Sequence, residues 1–364
     1  MAMNDPEIAA LLKIVSDIDS PEISLSGIDI QHLIRLANRH KVMYQMLLFA
    51  QKHPEVFSAE QTTKLNEHNR KVARQSLVQL GEMKKIATIL SESGIPFVCI
   101  KGPQLSRMLY GREALKESVD LDIMLTDATH LRKVHEIFAQ LGYTESNLND
   151  YPGKWRRKIF LVAKREVHYF NKENKCAIDL HIRPGANTYL TAKYFKGFLA
   201  DLKTFDLEGT SVPVLHDEAY FVYLCYHGAL HQFMRLAWLL DIRAFLQQKE
   251  NTLDRERIKI IARTLNVERS VALALLLLEQ CFGDPFVASL NYNVQSDRVW
   301  ELASKCHKML SSKPGYVLSI KGRLDKVLYI MKLVKGLPGK IDWFYGIFMR
   351  QVMKIVTSRS KNPG

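Results

Sequence analysis

The chain lacks an apolar run long enough to cross a bilayer. Its longest, Val271 to Leu278, falls far short of the ~20 residues a spanning helix needs. A secretory leader pattern is missing too: Met1 to Glu7 is acidic, with no basic n-region and no apolar h-region. Paired cysteines are absent. The five present (Cys99, Cys176, Cys225, Cys281 and Cys306) are scattered, odd in number and never spaced Cys-x-x-Cys. That argues against a disulfide framework or a thiolate zinc site and for a reducing compartment. A cytoplasmic protein is expected. Internal repeats and low-complexity tracts are also missing.

What is present is a globular composition, 47% hydrophobic and 24% charged, with a net charge of +13 that is unevenly spread. Between Ala303 and Gly364 fall thirteen Lys or Arg and only two acids, Asp325 and Asp342. The basic character thus belongs to a tail rather than to the whole surface. In that tail, Val327–Gly336 and Asp342–Lys354 mix apolar and aromatic residues with Lys and Arg. This composition suits a helix lying on an anionic membrane surface, at the inner face of the membrane. It also suits a grip on RNA phosphates, or a last helical layer with a solvated basic face.

Periodicity divides the chain into three. Residues 1–90 carry apolar residues at helical spacing, ending in a long amphipathic stretch from Ala59 to Ser93 that Gly94 stops. Residues 91–215 read as a compact α/β unit. Strands are expected over Ile95–Ile100, Ser118–Leu125, Ile159–Val162, Val167–Phe170 and Ala177–Ile182, with a short pair over Lys203–Leu207 and Val212–Leu215. Helices are expected from Pro103 and over Ala128–Leu141. Residues 216–364 return to helical spacing and end in the basic tail. The fold class expected is α+β, a small mixed-sheet core flanked by helical regions.

The chemistry-bearing residues cluster in the middle section. In Asp120-Leu121-Asp122, strand alternation puts both carboxylates on one face and Leu121 on the other. Two adjacent acids repel, and a pair of divalent cations, ~3.5–4 Å apart in two-metal sites, gives a fold reason to keep them. Upstream, Lys101-Gly102 opens a helix whose free N–H groups suit an anion, with Gly102 allowing close backbone approach. Downstream, Asp179 and His181 alternate onto one strand face. His227 and His231 stand four apart on a helix, a spacing open to a metal pair but better suited to a structural or substrate-facing one, and Asp241 with Arg235 and Arg243 suits a helix-surface network.

The stretch Ile95–Asp127, with Asp179-Leu180-His181 and the later His227, His231, Trp238 and Asp241, resembles the bacterial nucleotidyltransferases of the nucleotidyltransferase-5 type, within the polymerase-β-like superfamily. The resemblance runs from Ile95 to about Phe245. It implies transfer of a nucleoside monophosphate from an NTP to an acceptor hydroxyl or phosphate with release of pyrophosphate, supported by Mg²⁺ or Mn²⁺. Asp120, Asp122 and Asp179 would hold the metals, and Lys101, Gly102, Gln104 and Lys116 the nucleotide. His181, His231 and Asp241 would stand on the acceptor side. Two positions depart from the wider pattern: Pro103 stands where a serine is usual, and Lys116 where this group commonly has Arg, whose fork grips phosphate bidentately. The resemblance leaves the acceptor open. A small molecule or surface-glycan precursor, an RNA or protein target as in toxin systems, and an inactive binding module on the same fold all remain.

Overall fold

The structure is a computed structural model that describes residues 5–18, 23, 25–112, 116–145, 166–182, 201–312, 319–337, 339–341, 343–345 and 348. Helices α1 (Pro6–Ser16), α2 (Ile30–His40), α3 (Met43–Lys52) and α4 (Ala59–Glu92) come first. Asp5 and Asp29 start α1 and α2, their carboxylates accepting from the backbone N–H groups of Ile8 and His32. The middle section follows as β1 (Phe97–Lys101), α5 (Pro103–Tyr110), β2 (Leu121–Leu125), α6 (Leu131–Gln140), β3 (Tyr143–Glu145), β4 (Glu166–Asn171), β5 (Ala177–His181), β6 (Leu202–Leu207) and β7 (Thr210–Leu215). The chain then returns to helices: α7 (Asp217–Leu230), α8 (Leu236–Lys249), α9 (Arg255–Thr264), α10 (Glu268–Phe282), α11 (Asp297–Leu310) and α12 (Ile320–Leu333). The class is α+β with helical flanks.

Several boundaries differ from the periodicity: β1 begins at Phe97 rather than Ile95, and β3 is not among the expected strands. The strand expected from Ser118 begins only at Leu121, because Ser118 turns its hydroxyl back to donate to the Asp120 carbonyl at 2.8 Å. The helix expected from Ala128 opens with a tight 3₁₀ turn, Ala128–His130, where the Asp127 carboxylate takes the Thr129 N–H. The strand expected over Ile159–Val162 lies outside the described residues.

The chain forms two compact units. The sheet unit comprises Gln75–Glu113, Ser118–His216 and Gly336–Gly364. Its main sheet runs β1-β2-β5-β4-β3, with β2 and β5 parallel and the other pairs antiparallel. Strands β6 and β7 form a hairpin of their own. In β4 and β5 the alternation is clean: Val167, Tyr169, Ile178 and Leu180 are buried, while His168, Asp179 and His181 are half-buried. The buried face joins Leu121 and Ile123 of β2, Met83, Ile86 and Leu90 of α4, and Phe138 of α6 in one core. That packing fixes the register. A slip of one residue would turn the carboxylates into the core.

The helical unit comprises Met1–Arg74, Ala114–Glu117 and Asp217–Lys335. The apolar run expected from Val271 to Leu278 is the buried body of α10. Three buried polar or charged groups here, Tyr329, Arg243 and His40, are well partnered. Tyr329 donates to the Ala229 carbonyl at 2.9 Å, and the Arg243 guanidinium clamps both Asp284 oxygens while donating to the Ser16 carbonyl. Burial, then the charge of Arg39, pushes His40 down to about 3. Its neutral ring accepts the Leu236 N–H at Nδ1 and reaches the Leu310 carbonyl through Nε2. Among the described residues no helix is long and apolar enough to cross a membrane.

Candidate active site

The site starts with an irregularity in β1. Cys99 pairs with Ile123, but the register then shifts, so Lys101 stands opposite Asp122 rather than one residue further along. Such a bulge re-aims the strand end. Lys101 is buried, and its charge opposes the rise in the Asp120 pKa. Gly102 follows at φ 129° and ψ −152°, backbone that a side chain rarely tolerates. A Cβ there would also stand 3.1 Å from both Gln104 Oε1 and Met83 Cε. Pro103 opens α5, and in its first turn Gln104 is fully buried. Neither amide atom of Gln104 has a hydrogen-bond partner among the described residues. An unpaired buried polar group costs roughly 1–3 kcal/mol, which a polar ligand at this loop would offset.

Strand pairing lines up the remaining groups. Lys101, Asp122, Asp179 and His168 are directly opposed partners across β1, β2, β5 and β4, and the same register pairs His181 with Glu166. Asp120 sits one residue before β2, held by the Ser118 hydroxyl on its carbonyl. His181 Nε2 is 2.7 Å from Asp122 Oδ1, and His168 Nδ1 is hydrogen-bonded to Asp179 Oδ1. Glu166 lies beside both rings, with its oxygens 3.6 Å from His181 Nδ1 and 3.7 Å from His168 Nε2. Each histidine therefore orients one aspartate and is backed by a shared glutamate.

Three carboxylates so close disturb one another. Burial first, then the charges of Asp122 and Asp179, raise Asp120 to about 7. His181 is pulled both ways. Burial favours its neutral ring, but the Asp122 hydrogen bond and the charges of Asp122, Glu166 and Asp179 together outweigh it and raise the pKa.

The other expected site residues belong to the helical unit. Lys116 and Asp241, assigned by resemblance to nucleotide and acceptor, form a buried ion pair with each other at 2.5 Å within the helical unit. Arg243, two residues after Asp241, pairs with Asp284. His231 belongs to the helical unit, in a ring cluster 4.8 Å from His227 and 5.2 Å from Trp238 between centroids, with Arg235 over Trp238. Sequence reasoning missed Glu166 and His168. Their alternation with Val167 and Tyr169 was readable as a strand, but only the pairing of β4 with β5 shows what they face.

Among the described residues, as placed, no group of three or more His, Cys, Asp or Glu side chains converges to hold a metal ion. The donor set nevertheless fits Mg²⁺ in kind. It is carboxylate oxygen throughout, and Mg²⁺ needs only one or two protein carboxylates beside water and phosphate. The histidine contacts engage one oxygen each of Asp122 and Asp179.

A mixed sheet that sets carboxylates beside a Lys-Gly loop opening a helix is the build expected of a nucleotidyltransferase. Residues 26–283 match the family described as Uncharacterised nucleotidyltransferase, and the chain belongs to that family. No curated protein matches it.

The perturbed groups set a pH dependence. Asp120 is raised in the fold, so between about pH 4 and 7 the folded chain keeps a proton the unfolded chain has lost, and stability falls as pH rises through that window. His181, also raised, contributes stability that is present below about 6.5 and lost as pH climbs through its folded pKa. In metal-free buffer, Asp120→Asn should therefore be more stable than the parent at pH 8 and match it near pH 3.5, as read by urea unfolding at each pH. An unchanged difference across that range would contradict the crowding.

Proposed function

We propose that the protein transfers a nucleoside monophosphate from a Mg²⁺-bound NTP to an acceptor hydroxyl or phosphate, releasing pyrophosphate. The observation that carries this reading is the cross-strand row of Lys101, Asp122 and Asp179, with Asp120 crowded against it. Asp120 and Asp122 would hold the metal on the nucleotide side, and Asp179 would join them on the acceptor side. Bound there, Mg²⁺ supplies charge neutralisation across the reacting phosphate and lowers the pKa of the attacking oxygen.

The chain's own groups do the rest. Lys101 and the Gly102 backbone cradle the triphosphate, and the unpaired Gln104 amide gains a partner in the same loop. His181 and His168 fix the orientation of Asp122 and Asp179, so the carboxylates need not reorganise as charge develops. The acceptor oxygen bonds to the α-phosphorus as the bond to pyrophosphate breaks; a hydroxyl acceptor loses its proton by way of the Asp179 carboxylate, and an ionised phosphate acceptor has none to lose.

The tail favours an acceptor met at a membrane surface. Leu337, Ile341, Phe344, Tyr345 and Phe348 are all exposed, at helical spacings of four, three, one and three residues, while Trp343 is buried. One apolar stripe within a tail whose wider stretch, Ala303–Gly364, is strongly basic suits an anionic lipid surface, where each Lys or Arg contributes about 1 kcal/mol. The RNA reading of the tail gives no reason for that stripe.

Two measurements check these readings. Incubation with Mg²⁺, each α-labelled NTP and a lysate of acceptors should give a labelled product. Asp122→Asn should lower its rate about 10³-fold, the equivalent of the several kcal/mol a metal supplies. Equal transfer by the folded variant would remove the proposal. The protein should also sediment with phosphatidylserine vesicles at 0.15 M salt, and Phe344→Glu with Phe348→Glu should release it. Sedimentation that is absent, or indifferent to those changes, would dismiss the membrane reading.

A further inference from the structure

The helical unit holds a cavity of about 540 Å³ that the nucleotidyl-transfer reading does not use. Its size falls in the range of small-molecule sites. Lys259, Arg263, Arg269 and Lys335 line it, and Glu268 is the only acid among the described lining residues. Every lining residue belongs to the helical unit, whereas the carboxylate row belongs to the sheet unit.

Four cations around one cavity repel one another, and the carboxylates nearby compensate them only in part. Glu268 is shared between Lys335 at 3.2 Å and Arg263 at 3.8 Å, and Lys259 is held by Glu256 at 2.7 Å. Arg269 is the fixed member. Its Nη1 donates to the carbonyls of Lys332 and Val334 at 2.8 and 3.2 Å, where α12 ends. No carboxylate stands within ion-pair distance of its guanidinium among the described residues. Burial, then the neighbouring charge of Arg298, pulls its pKa down, against the charge of Glu268, which acts in the opposite direction.

The wall is built rather than frayed. Asn266 Nδ2 donates to the Lys335 carbonyl at 2.7 Å, which holds the end of α12 beside α10. The Tyr292 hydroxyl donates to the Glu268 carbonyl at 3.4 Å, setting its ring in the lining. A merely solvated basic face needs neither a concave shape nor an arginine fixed by two backbone carbonyls.

We infer that this cavity binds a small molecule bearing one or more phosphate groups, with the phosphate held by Arg269, Arg263 and Lys335. An arginine fork matches phosphate oxygens in geometry as well as charge. Phosphate entering between Arg263 and Lys335 would take over the role Glu268 now divides between them.

The test uses the full chain and inorganic pyrophosphate, titrated by calorimetry in EDTA so that metal-dependent binding at the carboxylates is suppressed. The parent should bind pyrophosphate. Arg263→Glu with Lys335→Glu should weaken binding at least tenfold. Both side chains are more than half exposed, so the fold should tolerate the change. Arg269→Gln should weaken binding as well. Arg132→Glu, a reversal at a 91% exposed position in the sheet unit, should leave it unaltered. The inference is overturned if the parent shows no binding at millimolar pyrophosphate, if the double reversal binds as tightly as the parent, or if Arg132→Glu weakens binding equally. Loss of nucleotidyl transfer in Asp122→Asn would bear on the other site and leave this result untouched.

Discussion

Mutual repulsion of carboxylates on one face of a sheet is the constraint from which the rest of the sheet unit follows. Asp120, Asp122 and Asp179 would separate in a chain free to do so, yet strand pairing forces Asp122 and Asp179 directly opposite each other. The opposing face is packed with Leu121, Ile123, Ile178 and Leu180, so neither strand can slip without burying charge. The hydrophobic core therefore holds the acids together, and the surrounding cations and histidines temper their repulsion. Lys101 reaches the row through a bulge, and the two histidines each engage one aspartate.

Much of this was legible in the sequence, and the reason is periodicity. Alternation in Val167–Phe170 and Ala177–Ile182 marks strands with one polar face, and the Lys-Gly-Pro step marks a strand-to-helix turn. The candidate carboxylates, Lys101, Gly102 and Gln104 were readable from those local patterns together with the family resemblance. What local patterns do not carry is which strand lies beside which. The parallel pairing of β2 with β5 and the antiparallel pairing of β5 with β4 join residues far apart in sequence, and with them Glu166 and His168 come into view. Lys116 and Asp241 show the same limit from the other side. Each carried a role by resemblance, but their 125-residue separation hid the buried ion pair they form. Breaking such a pair takes the cation from a buried carboxylate, so both positions matter to the helical unit whatever else they do.

The two units divide the chemistry by the kind of charge they expose. The sheet unit concentrates acids around a phosphate-friendly loop, a combination suited to a nucleotide and its cation. The helical unit concentrates arginine and lysine around its own cavity. The tail from Gly336, which belongs to the sheet unit, adds an exposed apolar stripe. Family membership fixes the class of reaction to look for, while fold alone does not choose the acceptor.

The central claim is that the carboxylate row binds a divalent cation together with an NTP. Titrating Mn²⁺ into the protein with a non-hydrolysable NTP analogue, and following the electron paramagnetic resonance of the free ion, tests it most directly. The account predicts that the protein suppresses the free-ion signal beyond what the analogue alone achieves, and that Asp120→Asn and Asp122→Asn restore it. Suppression that is the same in parent and variants, or absent from both, would contradict the account.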